Sequence, residues 1–132
     1  MKTNTFILIV SAYSLLLGLP AVFAPHVSNA YFGGDVEDFY QLSSMNFLGG
    51  YQLIIGYLGY AAYRSTDKLA RQAWLLSITI LTFFAIGVYV YNLNVRQMPP
   101  HKTLYIDCSI WAIMGLSALY FWNKEKQAST TA

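Results

Sequence analysis

Four runs of predominantly apolar residues, each about as long as a helix that crosses a bilayer, constrain the fold of this chain more than any other feature. They cover residues 6–24, 44–63, 73–94 and 103–122. Charged residues make up only 11% of the 132 residues, against roughly a quarter in soluble domains. The pattern predicts an all-α integral membrane protein, a single four-helix antiparallel bundle over residues 1–122 in contact with the lipid bilayer. Residues 123–132 are predicted to be a polar, disordered tail.

The first run permits two interpretations. Residues 28–30 are small enough for a signal peptidase site, but an apolar run of about 19 residues exceeds the 7–15 of a signal peptide. We therefore expect a retained span that is kinked at Pro20 and ended by Pro25. In the connection that follows, residues 36–42 are expected to form a short amphipathic helix on the surface.

The distribution of lysine and arginine predicts the orientation. Six of these residues lie at the N-terminus, between the second and third runs, or in the tail, whereas only Arg96 and Lys102 lie in the other two connections. Because positive residues mark the cytoplasmic side, we expect a multi-pass protein with both termini in the cytoplasm.

The second run carries a stripe of small and polar residues on one helical face. Their spacing of three or four residues places them together, and they are Asn46, Gly49, Gln52, Gly56, Gly59 and Tyr63. Glycine lets a neighbouring backbone approach closely. The stripe is interpreted either as a packing seam within the chain or as a surface with a partner. On the second interpretation, the Gly49/Gly56/Gly59 face joins a larger membrane complex or a second copy of the chain.

Asp107 lies four residues inside the fourth run and is the strongest candidate for a functional residue. A carboxylate inside a membrane span is costly, so its presence points to function, although near the interface the cost is smaller and a structural hydrogen bond or ion pair would also explain it. The predicted orientation places it near the outer face, level with polar residues of other spans. The candidate ligand-binding residues around it are Asn46, Gln52, Tyr89, Tyr91, Asn92, Trp111, His26 and His101.

Several kinds of site are not indicated. The single Cys108 excludes an internal disulfide and a CxxC motif, and it is expected to pack as a small apolar residue. His26 and His101 match no metal-ligand spacing, so no metal site is predicted. The chain has no basic run, and nucleic-acid binding is not expected. No cofactor is indicated by any motif.

Three functions remain open from the sequence. The first is an accessory or binding subunit with an outward-facing polar pocket around Asp107. The second is a membrane-embedded enzyme of isomerase, cyclase or hydrolase type, in which Asp107 is the acid or base and the substrate is an isoprenoid, sterol or quinone. The third is a small carrier or channel, although the inner halves of three runs offer no polar path.

Overall fold

The structure, a computed structural model, describes residues 2–35, 37–100 and 103–130, with side chains to residue 127, and these residues form five helices joined by short connections. No strand occurs in these segments, which confirms the all-α prediction. The five helices are α1 (Thr3–Phe23), α2 (Pro25–Tyr31), α3 (Phe39–Arg64), α4 (Lys68–Asn94) and α5 (Leu104–Thr130).

Three helices in the described segments are long and apolar enough to cross a membrane: Thr3–Phe23, Lys68–Asn94 and Leu104–Gln127, whose most apolar stretches of 18 residues have mean hydropathies of 2.3, 2.1 and 1.5. These correspond to the first, third and fourth predicted spans. Helix α3, which holds the second predicted span, is not among them. Its amides, serines and glycines lower its hydropathy, so a four-helix membrane bundle is not established by length and composition.

The chain divides into two compact units, residues 1–63 and residues 64–132, which are described separately below.

In the first unit, α1 ends at Phe23, two residues before Pro25. Pro20 is accommodated within the last turn of α1, and Ala24 adopts a non-helical backbone (φ −141°, ψ 61°) immediately before Pro25. The residue before a proline is disfavoured in the helical region. Pro25 then opens α2 at a position where its missing N–H is not needed. The prediction that Pro25 ends the first helix is therefore confirmed.

Helix α3 begins five residues earlier than the predicted span. The Asp38 carboxylate accepts hydrogen bonds from the backbone amides of Tyr40 (2.8 Å) and Gln41 (3.3 Å) and so caps the helix. Residues 39–42, expected in a separate amphipathic helix, form the first turn of α3 instead. Val36, at the start of that expected helix, lies outside the described residues.

Glycines let α1 and α3 approach closely. A Cβ atom on Gly49 would lie 2.8 Å from the backbone nitrogen of Val22, and one on Gly56 would lie 2.7 Å from the Leu15 side chain. Gly18 on α1 contributes in the same way, against the carbonyl oxygen of Gly49. The predicted glycine stripe therefore includes a packing seam within the first unit.

In the second unit, α4 and α5 form an antiparallel hairpin. Three contacts define its register. In these contacts the residue number on α5 falls as the residue number on α4 rises, as expected for antiparallel helices. Arg71 pairs with Glu125 (3.1 Å), Gly115 packs against the Thr82 hydroxyl, and Tyr89 contacts Trp111.

Helix α5 also continues beyond the predicted span, since residues 123–130 are helical. The prediction of a disordered tail is wrong for this segment. The Arg71–Glu125 ion pair, in which both side chains are about five-sixths buried, anchors this part of α5 to α4.

Candidate functional site

Asp107 lies in the first turn of α5 and is almost completely buried, with 5% of its surface exposed. The Thr103 hydroxyl donates a 2.8 Å hydrogen bond to the Asp107 Oδ2 atom. The Asp107 backbone amide in turn donates to the Thr103 carbonyl oxygen at 2.9 Å. A carboxylate at this position also interacts favourably with the helix dipole. These interactions at the start of α5 therefore offset part of the free-energy cost of burying the Asp107 side chain.

Two aromatic residues of the hairpin complete the surroundings of Asp107. Tyr89 on α4 lies within electrostatic range of the carboxylate. Its ring contacts the ring of Trp111, with centroids 5.5 Å apart. Trp111 follows Asp107 by four residues and therefore lies on the same face of α5. The hairpin thus brings together three residues that the sequence placed in one pocket.

Asn92 lies one turn beyond Tyr89 on α4. By the register of the hairpin, it is level with the first turn of α5. Its side chain is half-buried, and its Oδ1 atom is inaccessible and accepts no hydrogen bond from the described residues. A second buried acceptor is therefore available at the depth of Asp107.

Tyr91 and the loop after α4 are more exposed than Asp107. Half of the Tyr91 side chain is exposed, and the Arg96 guanidinium carbon lies 5.4 Å from its ring centroid. This cation–π contact holds the loop after α4 close to the helix. His101, another predicted ligand-binding residue, lies outside the described residues.

The remaining predicted residues belong to the first unit. With its amide nitrogen facing α1, Asn46 donates hydrogen bonds to the carbonyl oxygens of Ala21 (3.0 Å) and Val22 (3.2 Å). Asn46 therefore joins α3 to the end of α1. Gln52 is half-buried on α3, and His26 is exposed on α2. That these three residues share a pocket with Asp107 stays a prediction.

Sequence reasoning missed Thr103, the residue that hydrogen-bonds Asp107. The signal was available, because a hydroxyl four residues before a carboxylate on a helix lies on the same face.

The site offers one carboxylate, two hydroxyls, an amide oxygen and an indole ring. Among the described residues, no group of three or more His, Cys, Asp or Glu residues is placed to hold a metal ion. The arrangement suits a ligand that donates hydrogen bonds to Asp107 and packs an apolar part against Trp111.

In the comparisons with known proteins, no family model, no curated protein and no solved structure matches this chain.

Proposed function

We propose that this chain is a multi-pass membrane binding subunit that holds a hydrophobic molecule through a polar pocket around Asp107. The proposal has two parts, the membrane topology and the ligand, and each has its own test.

For the topology, we propose that α3 also crosses the bilayer, which makes a four-helix antiparallel bundle with both termini in the cytoplasm. Helix α3 has 26 residues, or about 39 Å of helix, which is long enough to cross. Two of its three seam glycines face α1, so these small residues need not contact lipid. The positive charges of Arg64, Lys68 and Arg71 support a cytoplasmic position for the connection that follows.

Single cysteines test this topology in a Cys108→Ala background. The connections after α3 and after α4 offer the exposed positions Thr66 and Met98. A membrane-impermeant maleimide added to intact cells should label Met98→Cys and should label Thr66→Cys only after permeabilisation. The reverse pattern would refute this topology, because it arises when α3 does not cross and the N-terminus is cytoplasmic, and also when all four helices cross in the opposite orientation.

The buried carboxylate of Asp107 is the observation that carries the ligand assignment. A membrane helix tolerates an acid only where the acid has partners or faces a polar cavity. Thr103 is one partner, Tyr89 interacts electrostatically with the carboxylate, and the Trp111 ring packs against Tyr89. A ligand with a hydroxyl or amine group and an apolar body would satisfy the carboxylate and bury its apolar part between the rings. Under the proposal, Tyr91 of α4 lines the outer part of the same pocket.

The ligand is tested by what the purified protein retains. Wild type and Asp107→Asn are isolated in mild detergent, extracted with organic solvent and compared by mass spectrometry. Hydrogen bonds to charged groups contribute about 1.5–3 kcal/mol, so Asp107→Asn should lower the amount of the retained molecule by about tenfold or more.

Asp67→Asn is the matched control for this extraction. Asp67 is exposed and caps α4 by accepting from the Leu69 amide, a role that asparagine also fills. The control should retain as much of the molecule as wild type does. An equal amount of the same molecule in Asp107→Asn would refute the binding role of Asp107.

A membrane-embedded enzyme is the second candidate, because Asp107 and Tyr89 are two groups able to exchange protons and they interact electrostatically. Under this candidate, the substrate is an isoprenoid, sterol or quinone. The same extraction distinguishes this candidate. If the chain is an enzyme, Asp107→Asn retains a molecule of different mass or structure, the unconverted substrate.

For the subunit role, we propose assembly with a larger membrane complex. Gly49 and Gly56 already contact α1, so the Gly49/Gly56/Gly59 face is partly occupied within the chain. Purification in mild detergent should recover the chain with a larger membrane protein at a constant ratio. Recovery only as a monomer that still retains its ligand would contradict the subunit role but not the binding role.

A further inference from the structure

The first unit contains an open groove that is separate from the residues around Asp107. Its volume is about 300 Å³, at the lower limit for small-molecule sites. Six residues of α2 and α3 line it: Asn29, Tyr40, Gln41, Ser44, Met45 and Leu48. None of them is used by the proposed pocket around Asp107.

The groove changes from polar to apolar along α3. Gln41, Ser44, Met45 and Leu48 follow one another at helical spacing over about 10 Å, so they form one stripe with amide and hydroxyl groups at one end and aliphatic groups at the other. This length resembles the depth to which amphipathic groups penetrate the boundary between headgroups and acyl chains.

The groove also lies at the expected membrane boundary. The apolar helix α1 ends at Phe23, and Asn46 of α3 reaches the carbonyl oxygens of Ala21 and Val22. Met45 and Leu48, which flank Asn46 in the sequence, are therefore at the depth of the last turn of α1. Gln41, more than one helical turn earlier, lies beyond the end of α1.

Hydrogen bonds hold the polar end of the groove in place. Asn29 is 5% exposed, and its amide nitrogen donates to the Asp35 carbonyl oxygen at 2.7 Å. The Gln41 side chain accepts from the Asp35 amide at 2.9 Å and donates to the Asp38 carboxylate at 3.0 Å. The lining amides are thus fixed to the acidic loop between α2 and α3, and the site is preformed.

The charge beside the groove is negative. The segment from residue 26 to residue 43 contains Asp35, Glu37 and Asp38 and no Lys or Arg. Hydrogen bonds from the backbone amides of Gln41 and Tyr40 hold the pKa of Asp38 below its ordinary value, so this carboxylate is ionised at neutral pH. An anionic headgroup would be repelled here, whereas an ammonium group would be attracted.

We propose that this groove binds the headgroup end of a phospholipid that carries a primary ammonium group, of the phosphatidylethanolamine type. The ammonium group lies towards the acidic loop, the glycerol region lies by Ser44, and the start of an acyl chain lies on Met45 and Leu48. The Tyr40 hydroxyl can donate to the phosphate or ester oxygens. The rest of the lipid stays in the bilayer, which is why a groove of this volume is sufficient.

Native mass spectrometry of the full-length protein in detergent tests the proposal. Phosphatidylethanolamine and phosphatidylglycerol with identical acyl chains are added at equal concentration. Wild type should bind phosphatidylethanolamine about threefold more than phosphatidylglycerol, the ratio expected for ion pairs at an exposed surface. Equal binding of the two lipids, or more phosphatidylglycerol, would refute the proposal.

Two variants assign the preference to the groove. Ser44→Leu fills it, and its hydroxyl otherwise only bonds back to the Tyr40 carbonyl oxygen of its own helix. Ser77→Leu is the matched control, because Ser77 is equally exposed on a helix and bonds back to the Ala73 carbonyl oxygen in the same way. Ser44→Leu should lose the preference for phosphatidylethanolamine, and Ser77→Leu should keep it. A preference that survives in Ser44→Leu would refute the location.

A charge variant keeps the test decisive if Ser44→Leu folds poorly. Glu37→Gln with Asp38→Asn removes two charges and retains a side-chain oxygen to cap α3. It should bind the two lipids equally, and an unchanged preference would refute the role of the acidic loop. Asp107→Asn should keep the wild-type ratio, so this test is independent of the pocket proposed above.

Discussion

At Gly49, α3 lies directly against the backbone of α1, and the neighbouring Gly50 supplies an internal control. A Cβ atom on Gly49 would lie 2.8 Å from both the Ala21 Cβ atom and the Val22 backbone nitrogen, whereas one on Gly50 would meet nothing within 4 Å. The two glycines are adjacent on the same helix, so alanine at either position changes the helix propensity equally. Only alanine at Gly49 forces the helices apart.

The magnitude follows from two opposing terms. Alanine is favoured over glycine within a helix by about 0.5–1 kcal/mol, so Gly50→Ala should raise the free energy of unfolding by that amount. Overpacking costs about 1–3 kcal/mol, and the upper part of that range applies at Gly49 because a backbone atom of Val22 cannot rotate away. The stability of Gly49→Ala should therefore fall about 2–3 kcal/mol below that of Gly50→Ala.

Unfolding by titration with sodium dodecyl sulfate, followed by circular dichroism, measures this difference. Both variants are compared with wild type in the same mild detergent, and the difference between them cancels the propensity term. If Gly49→Ala is as stable as Gly50→Ala, the close approach of α1 and α3 does not exist and the packing of the first unit described above is wrong.

Three further predictions concern the hairpin and the loop before α3. Gly115→Ala should destabilise the second unit by about 1–3 kcal/mol, because its Cβ would meet the Thr82 hydroxyl, and Thr82→Ala in the same chain should restore most of the loss in detergent unfolding. Removing either side chain of the Arg71–Glu125 pair should lower the free energy of unfolding by about 1–3 kcal/mol, between the values for exposed and buried ion pairs. A double-mutant cycle should show that the two substitutions are coupled, and independent effects would mean that the pair does not stabilise the hairpin. The depressed pKa of Asp38 means that its cap on α3 is complete above the ordinary carboxyl pKa of about 3.9 and is lost as the pH falls through the lower pKa of the folded protein. Hydrogen exchange, compared with that of Asp38→Ala, should show the capped amides losing protection only in that acid range.

Much of the architecture follows from local pattern. An apolar run of about twenty residues is long enough to cross a bilayer whatever its neighbours are, so the first, third and fourth helices are recognisable from length and composition alone. Pro25 ends α1 through its own covalent geometry, which is equally local. Residues 39–42 are predicted to form a separate amphipathic helix, but Asp38 caps α3 at Phe39, so these residues join the second predicted span in one helix.

The residues of the candidate site also divide into those that local pattern predicts and those that depend on tertiary contacts. Helical spacing places Asp107 and Trp111 on one face, and the same rule accounts for Thr103. The pairing of Tyr89 with Trp111 is not available from spacing, because it depends on the register of α4 against α5. That register is set by long-range contacts, such as Thr82 with Gly115 and Arg71 with Glu125, between residues far apart in the chain.

The sequence by itself determined that this protein is helical and that three of its helices are suited to lipid, since both properties depend on the composition and periodicity of single segments. It also identified Asp107 as a candidate, because a single carboxylate within an apolar run can be recognised without knowledge of its contacts. Helical spacing placed Gly49, and not Gly50, on the stripe of small residues, but only the tertiary structure decided what that stripe packs against. A Cβ atom on Gly49 would meet the backbone of α1, whereas one on Gly50 would meet nothing within 4 Å. The reason is geometric, because a contact between two helices depends on how both are rotated and spaced.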